Sequence, residues 1–370
     1  MMTRRFIVEP RGLASPRLKL AVPIASVIAA LVVGGVFLFI TGENPFAVYA
    51  KMLDAAFGTG RGFSETLVSA TPLILTGVAA AIAFKMLVWN IGGEGQLLMG
   101  AVAAAGTAIW LGDGAPAVLL LPAVILAGGI GGAIWAAASA IPRVYLGTNE
   151  IITTLMLNFI ALNFVNFLIF GSHSPWRDPV VATFPSGRPI APTARLPEFF
   201  NRLDAGIFIA IVIAVAAWYL LEKTRWGFAV RIVGDSSDTA RYVGISVPKK
   251  ILGVFLLSGA AAGFAGGLLV SGPVGALDPR SLDLGIGFTG IIVAALARLN
   301  LVAVIPVAIL IGALSNAGPS LQAIGVPAAT VTMLQGAILI FAVAGEFFVR
   351  NRLRRPDRVS EPILEAGEPA

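Results

Sequence analysis

The chain alternates long apolar runs with short polar punctuation. Ten runs, over residues 20–41, 65–88, 96–112, 115–140, 149–170, 205–221, 250–271, 284–298, 301–318 and 327–349, stand out. Each approaches or exceeds the roughly 20 residues that a helix needs to cross a hydrocarbon core. The runs at 96–112 and 284–298 are short and glycine-rich. The pattern predicts an all-α polytopic membrane protein of about ten transmembrane helices. Its predicted parts are an N-terminal tail over 1–19, a membrane domain over 20–349 and a disordered tail over 350–370 that is charged and carries Pro356 and Pro362.

Charge orients the spans. With ten spans and a cytoplasmic N-terminus, 19 of the 26 lysines and arginines fall on inner segments, the bias that fixes topology. Omitting one span inverts everything after it and destroys the bias, so both termini are expected inside. The segment 171–204 then becomes a long outer loop with six prolines, and 222–250 becomes the longest inner segment.

Composition agrees. Hydrophobic residues make up 57% of the chain and charged residues 12%, against about 25% charged in soluble domains. There is no cysteine, which excludes disulfides, thiolate metal sites and thiol catalysis. The single histidine, His173, lies in a polar loop and cannot form a metal site alone. The net charge of +6 is spread in short clusters between apolar runs, an orientation signal and not a nucleic-acid footprint. Residues 1–19 and the long run behind them do not fit a cleavable signal peptide.

The middles of the spans are almost free of charge, with Lys85, Glu94, Glu150, Glu222 and Glu346 near span ends. Ion-coupled carriers need ionisable groups at depth, so a standalone secondary carrier is the less favoured alternative. No G-x-x-x-x-G-K-[ST] loop occurs, so an ATP-driven transporter would need a separate ATPase docked on the inner face. No cofactor and no enzyme chemistry is indicated.

The inner segment Thr224–Pro248, TRWGFAVRIVGDSSDTARYVGISVP, offers the docking element. Gly234 is expected to break the preceding segment, Asp235 to cap a short helix over 236–243, and Asp238 to favour its positive end. Gly244 is placed to close it in a left-handed cap, and Pro248 blocks continuation. Arg231 and Arg241 supply charge for an ATPase contact. The bland alternative is a solvated connector.

This loop, followed by FLLSGAAAGFAGGL, resembles the coupling segment of ABC permeases of the branched-chain amino acid, ribose and nucleoside importer superfamily. ATPLILTGVAAAIAFKMLVWNIGGEGQLLMGA, GTNEIITTLMLNFIALNFVN and GIGFTGIIVAALAR look like its nucleoside and simple-sugar branch. The resemblance covers about residues 43–348. It implies a non-catalytic permease subunit in a bacterial inner membrane, paired with a second permease as a homo- or heterodimer. The implied partners are an ABC ATPase and an extracytoplasmic substrate-binding protein, with no nucleic acid. The implied cargo is nucleosides or related sugars; ribose-like sugars and branched-chain amino acids are the alternatives. One departure is Asp235-Ser236-Ser237-Asp238, where many relatives carry a proline and fewer hydroxyls.

Candidate translocation-path residues are Asn90, Glu94 and Gln96, and Asn149, Glu150, Thr154 and Asn158. The 90–96 stretch, NIGGEGQ, reads either as a broken helix facing the path or as a tight inner turn with Glu94 anchoring neighbouring helices. Glu150, Thr154, Asn158, Leu162 and Asn166 recur at four-residue spacing on one stripe, whose polar members suit a sugar or base edge or interhelical hydrogen bonds. Gly259, Gly263, Gly266 and Gly267 suggest close helix packing. Asp278, Arg280 and Asp283 are candidate contacts for a binding protein, and Thr330, Thr332 and Gln335 are weaker path candidates.

Overall fold

The computed structural model describes residues 7–10, 15–112, 114–171, 174–181, 185–282, 284–327 and 329–354. Its helices are α1 (Pro16–Ile40), α2 (Pro45–Phe57), α3 (Gly60–Phe84), α4 (Gly93–Leu111), α5 (Ala117–Leu146), α6 (Glu150–Phe170) and α7 (Gly206–Lys223). They continue as α8 (Arg225–Asp235), α9 (Ser237–Tyr242), α10 (Val247–Leu269), α11 (Pro279–Leu282), α12 (Ile286–Leu296), α13 (Val304–Gln322) and α14 (Ala329–Arg350). Among the described residues, eight helical stretches are long and apolar enough to cross a membrane. They are α1, α3, α5, α6, α7, α10 with its extension to Val274, the stretch Pro279–Leu296, and α13. The two remaining predicted runs coincide with α4 and α14.

Local chemistry sets the helix starts. Ser15, Asn44, Thr59 and Asn149 each accept a backbone N–H of the first turn, the N-cap role that short polar side chains fill. Pro16 and Pro45 occupy first-turn positions, where their missing N–H costs nothing. Helix α1 therefore begins before residue 20. Helix α2, which apolar length does not reveal, lays Val48, Met52 and Ala56 against its neighbours.

The bundle is layered around α3 and α10. The α3 span is 83% buried and the α1 span 22%, so α3 is core and α1 rim. Helix α10 packs on α5, α4 and α3, and α13 packs on α3 and α2. The α10 glycines make this possible: a methyl group on Gly263 would overlap the Gly128 carbonyl oxygen and sit 2.8 Å from Gly132 Cα. Small residues that let backbones touch are how apolar helices associate where solvent is equally apolar.

The first and last described segments meet. Strand β1 (Ile7–Pro10) pairs antiparallel with β4 (Asn351–Arg354), placing Glu9 opposite Arg352. Residues 351–354 are thus ordered against the N-terminal segment. Residues 355–370 lie outside the described residues. The long loop before α7 forms a small hairpin of β2 (Glu198–Phe200) and β3 (Leu203–Asp204). Ile190 and Leu196 of that loop donate backbone N–H groups to Gly275 and Ser271.

Candidate functional site

Three features carry the polar chemistry: a buried network around residues 88–96, an elbow at α7–α9, and a cavity bounded by α3, α10, α12, α13 and α14.

After α3 ends at Phe84, the chain turns at Leu87, whose φ is +57°, and runs non-helically until α4 starts at Gly93. Asn90 Nδ2 donates to Ser258 Oγ of α10 at 2.9 Å, and that hydroxyl donates to the Ala79 carbonyl at 2.8 Å. Ala79 lies five residues before the end of α3, so Asn90 has climbed back about 8 Å into the bundle at about 1.5 Å per residue. Asn90 and Gln96 exchange amide hydrogen bonds at 3.1 and 3.0 Å. Both are buried, as is Glu94.

Glu94 faces the first turn of α12. Gly285 N donates to its Oε1 at 3.2 Å and Gly287 N to its Oε2 at 2.5 Å. Helices α4 and α12 thus begin almost N-terminus to N-terminus, with one carboxylate satisfying the free amides of α12 and its dipole. The backbone is non-helical between α3 and α4, and Glu94 holds the first turn of a neighbouring helix.

Helix α6 supplies the other side of the network. Asn158 Nδ2 donates to the Ile91 carbonyl at 2.9 Å while its Oδ1 accepts Gly95 N at 2.9 Å. Thr154 accepts Ile91 N at 3.3 Å and donates to Glu150 O at 2.6 Å. Glu150 Oε2 lies 3.0 Å from Arg143 Nε, an ion-pair contact without hydrogen-bond alignment. Asn149 is the α6 N-cap, accepting from Ile151 N at 2.9 Å. The structure brings Asn90, Glu94, Gln96, Thr154 and Asn158 together, but their polar atoms are spent on protein partners. Ser258 is the partner the sequence did not single out for this role. Only its polarity on an otherwise small-residue helix marked it.

At the elbow, Lys85 and Arg231 share the Glu222 carboxylate, with Arg231 Nη1 at 2.6 Å from Oε2. The cap expected at Asp235 is displaced by one residue. Asp235 ends α8, and Ser236 is the N-cap of α9, accepting Thr239 N at 3.2 Å. Asp235 fails as a cap because its backbone is still helical, whereas Ser236 is extended. Gly234 does not break the chain either; it lies inside α8. A Cβ there would stand 3.1 Å from Met86 Cα and 3.2 Å from Lys85 O, so glycine permits close contact with the turn that follows α3. Gly244 adopts φ +79° and closes α9 as expected. Asp238 pairs with Arg241 at 3.2 Å, both exposed. Tyr242 is 93% exposed and Val243 57%, so α9 ends in an uncovered apolar and cationic tip.

The cavity has a volume of about 480 Å³. Thr332 and Gln335 of α14 line it; Thr330 does not. Of the outer residues, Arg280 stacks 5.8 Å from the Phe170 ring and Asp278 accepts from Ser281 at 2.7 Å. Asp283 and His173 lie outside the described residues.

A chain of apolar spans packed around a buried core, with its charges near helix ends, an exposed short helical tip and a cavity set with polar groups, is suited to moving solutes. It is the membrane-spanning part of a transporter. Residues 62–343 match the family described as branched-chain amino acid transport system / permease component, and the chain belongs to that family. It is 36% identical over 355 residues to the glucose ABC transporter permease protein TsgB13 of Haloferax volcanii, covering 94% of this chain and 93% of that protein. It is 32% identical to the guanosine ABC transporter permease protein NupP of Bacillus subtilis, covering 90% and 94%. To the nucleoside ABC transporter permease protein NupB of Lactococcus lactis it is 30% identical, covering 95% and 98%.

Proposed function

We propose that this permease is one half of the transmembrane dimer of an ATP-driven importer for nucleosides or related simple sugars. It would take cargo from an extracytoplasmic binding protein. The proposed topology has ten spans with both termini on the cytoplasmic side of a bacterial inner membrane. Pairing of β1 with β4 supports an even number of crossings, because it holds both ends of the chain on one face. The cargo follows the named substrates of the three relatives.

The observation that carries the coupling role is the tip of α9. Arg241, Tyr242 and Val243 are exposed beyond a base stapled to α3 and α7 by Lys85, Glu222 and Arg231. A separate ATPase engaging this tip would move the whole inner end of α7, and with it the turn after α3 that Gly234 touches.

The test is uptake by the assembled importer in proteoliposomes. Arg241→Glu is expected to abolish coupled uptake while leaving insertion and helix content intact. Arg231→Glu should act differently, loosening the staple and lowering thermal stability as well. Wild-type uptake by both variants, or concentrative uptake by this chain without any ATPase, would overturn the proposal.

A further inference from the structure

The cavity has a largely apolar wall set with neutral polar side chains. Its side chains include Ser69, Thr289, Ser315, Gln322, Thr332 and Gln335, and no Asp, Glu, Lys, Arg or His lines it among the described residues. Its volume falls within the roughly 300–1,000 Å³ typical of small-molecule sites.

The hydrogen bonds of the wall are partly committed in a way that leaves capacity inward. Gln335 Nε2 donates to Ser315 Oγ at 2.9 Å, and Ser315 Oγ donates to the Ile311 carbonyl at 3.1 Å. That chain fixes the Gln335 amide and leaves its oxygen and second N–H available. Thr289 donates to Gly285 O at 3.0 Å and keeps acceptor capacity. The side chains of Ser69, Gln322 and Thr332 have no partner within the chain among the described hydrogen bonds.

Backbone acceptors add to these. Pro72 in α3 and Pro319 in α13 both line the cavity. A proline lacks the N–H that would bond the carbonyl four residues earlier. Those carbonyls belong to Val68 and Ser315, which also line it. Among the described residues, the wall therefore combines apolar surface with a few hydroxyl and amide groups and no formal charge.

We propose that this cavity binds an uncharged solute rich in O–H and N–H groups, a nucleoside or monosaccharide, and rejects zwitterionic amino acids and anionic phosphate esters. The inference rests on the importer function proposed above and names the site and selectivity within it. A phosphate or an amino-acid carboxylate entering here would lose its hydration without a countercharge, which costs far more than neutral hydrogen bonds return. A polyol trades water hydrogen bonds for wall hydrogen bonds at little loss. Selectivity would then act in the permease as well as in the binding protein.

The chain contains no cysteine, so a single introduced thiol reports on the cavity without background. Thr332→Cys, in the assembled importer, is labelled with a small maleimide in the presence of guanosine, glucose, leucine or GMP. Guanosine or glucose is expected to slow labelling about fivefold or more, the scale of about 1 kcal/mol of occupancy, and leucine and GMP should leave it unchanged. Adding Gln335→Leu should remove the protection. Labelling unaffected by both uncharged solutes, or slowed equally by leucine, overturns the assignment. Ser69→Cys gives the same readout from α3 if the first variant assembles poorly. ATP-dependent uptake by the wild-type importer is measured in parallel. Persistent uptake without protection refutes the cavity alone, whereas absence of ATP-dependent uptake refutes the importer function.

Discussion

Removing the Glu94 carboxylate should unseat α12. In Glu94→Ala, Gly285 N and Gly287 N lose their acceptor in a site where Glu94 is only 3% exposed. Leaving a buried donor unsatisfied costs about 1–3 kcal/mol, so two such donors set an upper range of about 2–6 kcal/mol. A membrane reference state lowers this, because side-chain hydrogen bonds between spans average only about 0.6 kcal/mol there. Loss of the anion at a helix N-terminus adds about 0.3–2 kcal/mol. Balancing these, Glu94→Ala should destabilise by about 2–4 kcal/mol. Glu94→Gln should cost about half as much, since one oxygen keeps one amide while the NH2 opposes the other. Glu94→Asp keeps the charge but retracts it by one methylene, too short to span both amides.

The assay is detergent-titrated unfolding of the purified permease in mixed micelles, followed by far-ultraviolet circular dichroism, with uptake measured in parallel. Gly287→Ala provides an independent probe, because its methyl group would stand 2.6 Å from Glu94 Cα. Combined with Glu94→Ala it should be strongly non-additive, since both break one contact. If Glu94→Gln and Glu94→Ala both remain within about 0.5 kcal/mol of wild type, the range of ordinary surface substitutions, the carboxylate does not hold α12 and the argument fails.

Other positions give sharper or simpler outcomes. Gly263→Val should force α10 away from α5, with overpacking worth about 1–3 kcal/mol; a normal yield and melting temperature would contradict the packing account. Asn158→Leu should free Ile91 O and Gly95 N, seen as faster amide exchange over 88–96, and unchanged exchange there would refute it. Asp204, just outside α7, is buried and accepts Gly206 N at 2.7 Å. Burial pushes its carboxyl above the ordinary carboxylate range, helped by nearby Glu198 and opposed by the Gly206 bond. A raised folded pKa means that the proton stabilises the fold. This contribution is complete below the unfolded pKa and lost as pH rises through the folded one. Asp204→Asn should therefore raise the melting temperature at neutral pH and flatten its decline from acid to neutral; a steeper decline would show the sign to be wrong.

The sequence revealed most of the helices because crossing a bilayer demands length and apolarity that little else requires. It also revealed the αL closure at Gly244, where residue type and following proline agree. It did not reveal α2, whose thirteen residues are amphipathic and short, nor the β1–β4 pair, whose strands are separated by almost the whole chain. Gly234 misled because its role is tertiary: propensity says breaker, while the neighbouring Met86 backbone says close contact. At the site, residue types were legible and partners were not. Polar side chains in apolar runs had to be satisfied somewhere, but only the fold shows that Asn90 meets Ser258, 168 positions away.

The disposition of charge bears on where the work of transport enters. Glu94 is occupied by the α12 amides, Glu150 by Arg143, and Glu222 by Lys85 and Arg231 together. A proton-coupled cycle must fill and empty an acid in each turn. Emptying Glu94 would release the first turn of α12, and emptying Glu222 would leave two cations facing each other across the elbow. These acids are committed to holding helices in place, and among the described residues the cavity wall carries no charge to take over the task. Under the proposed function, force then enters through the surface that is rigidly backed and outwardly uncovered, the α9 tip. On that proposal the Glu222 staple would convert a push on the tip into movement of α7 and the 85–92 segment together. Weakening the staple while sparing the tip should therefore leave ATPase engagement in place and lower the solute moved per ATP hydrolysed.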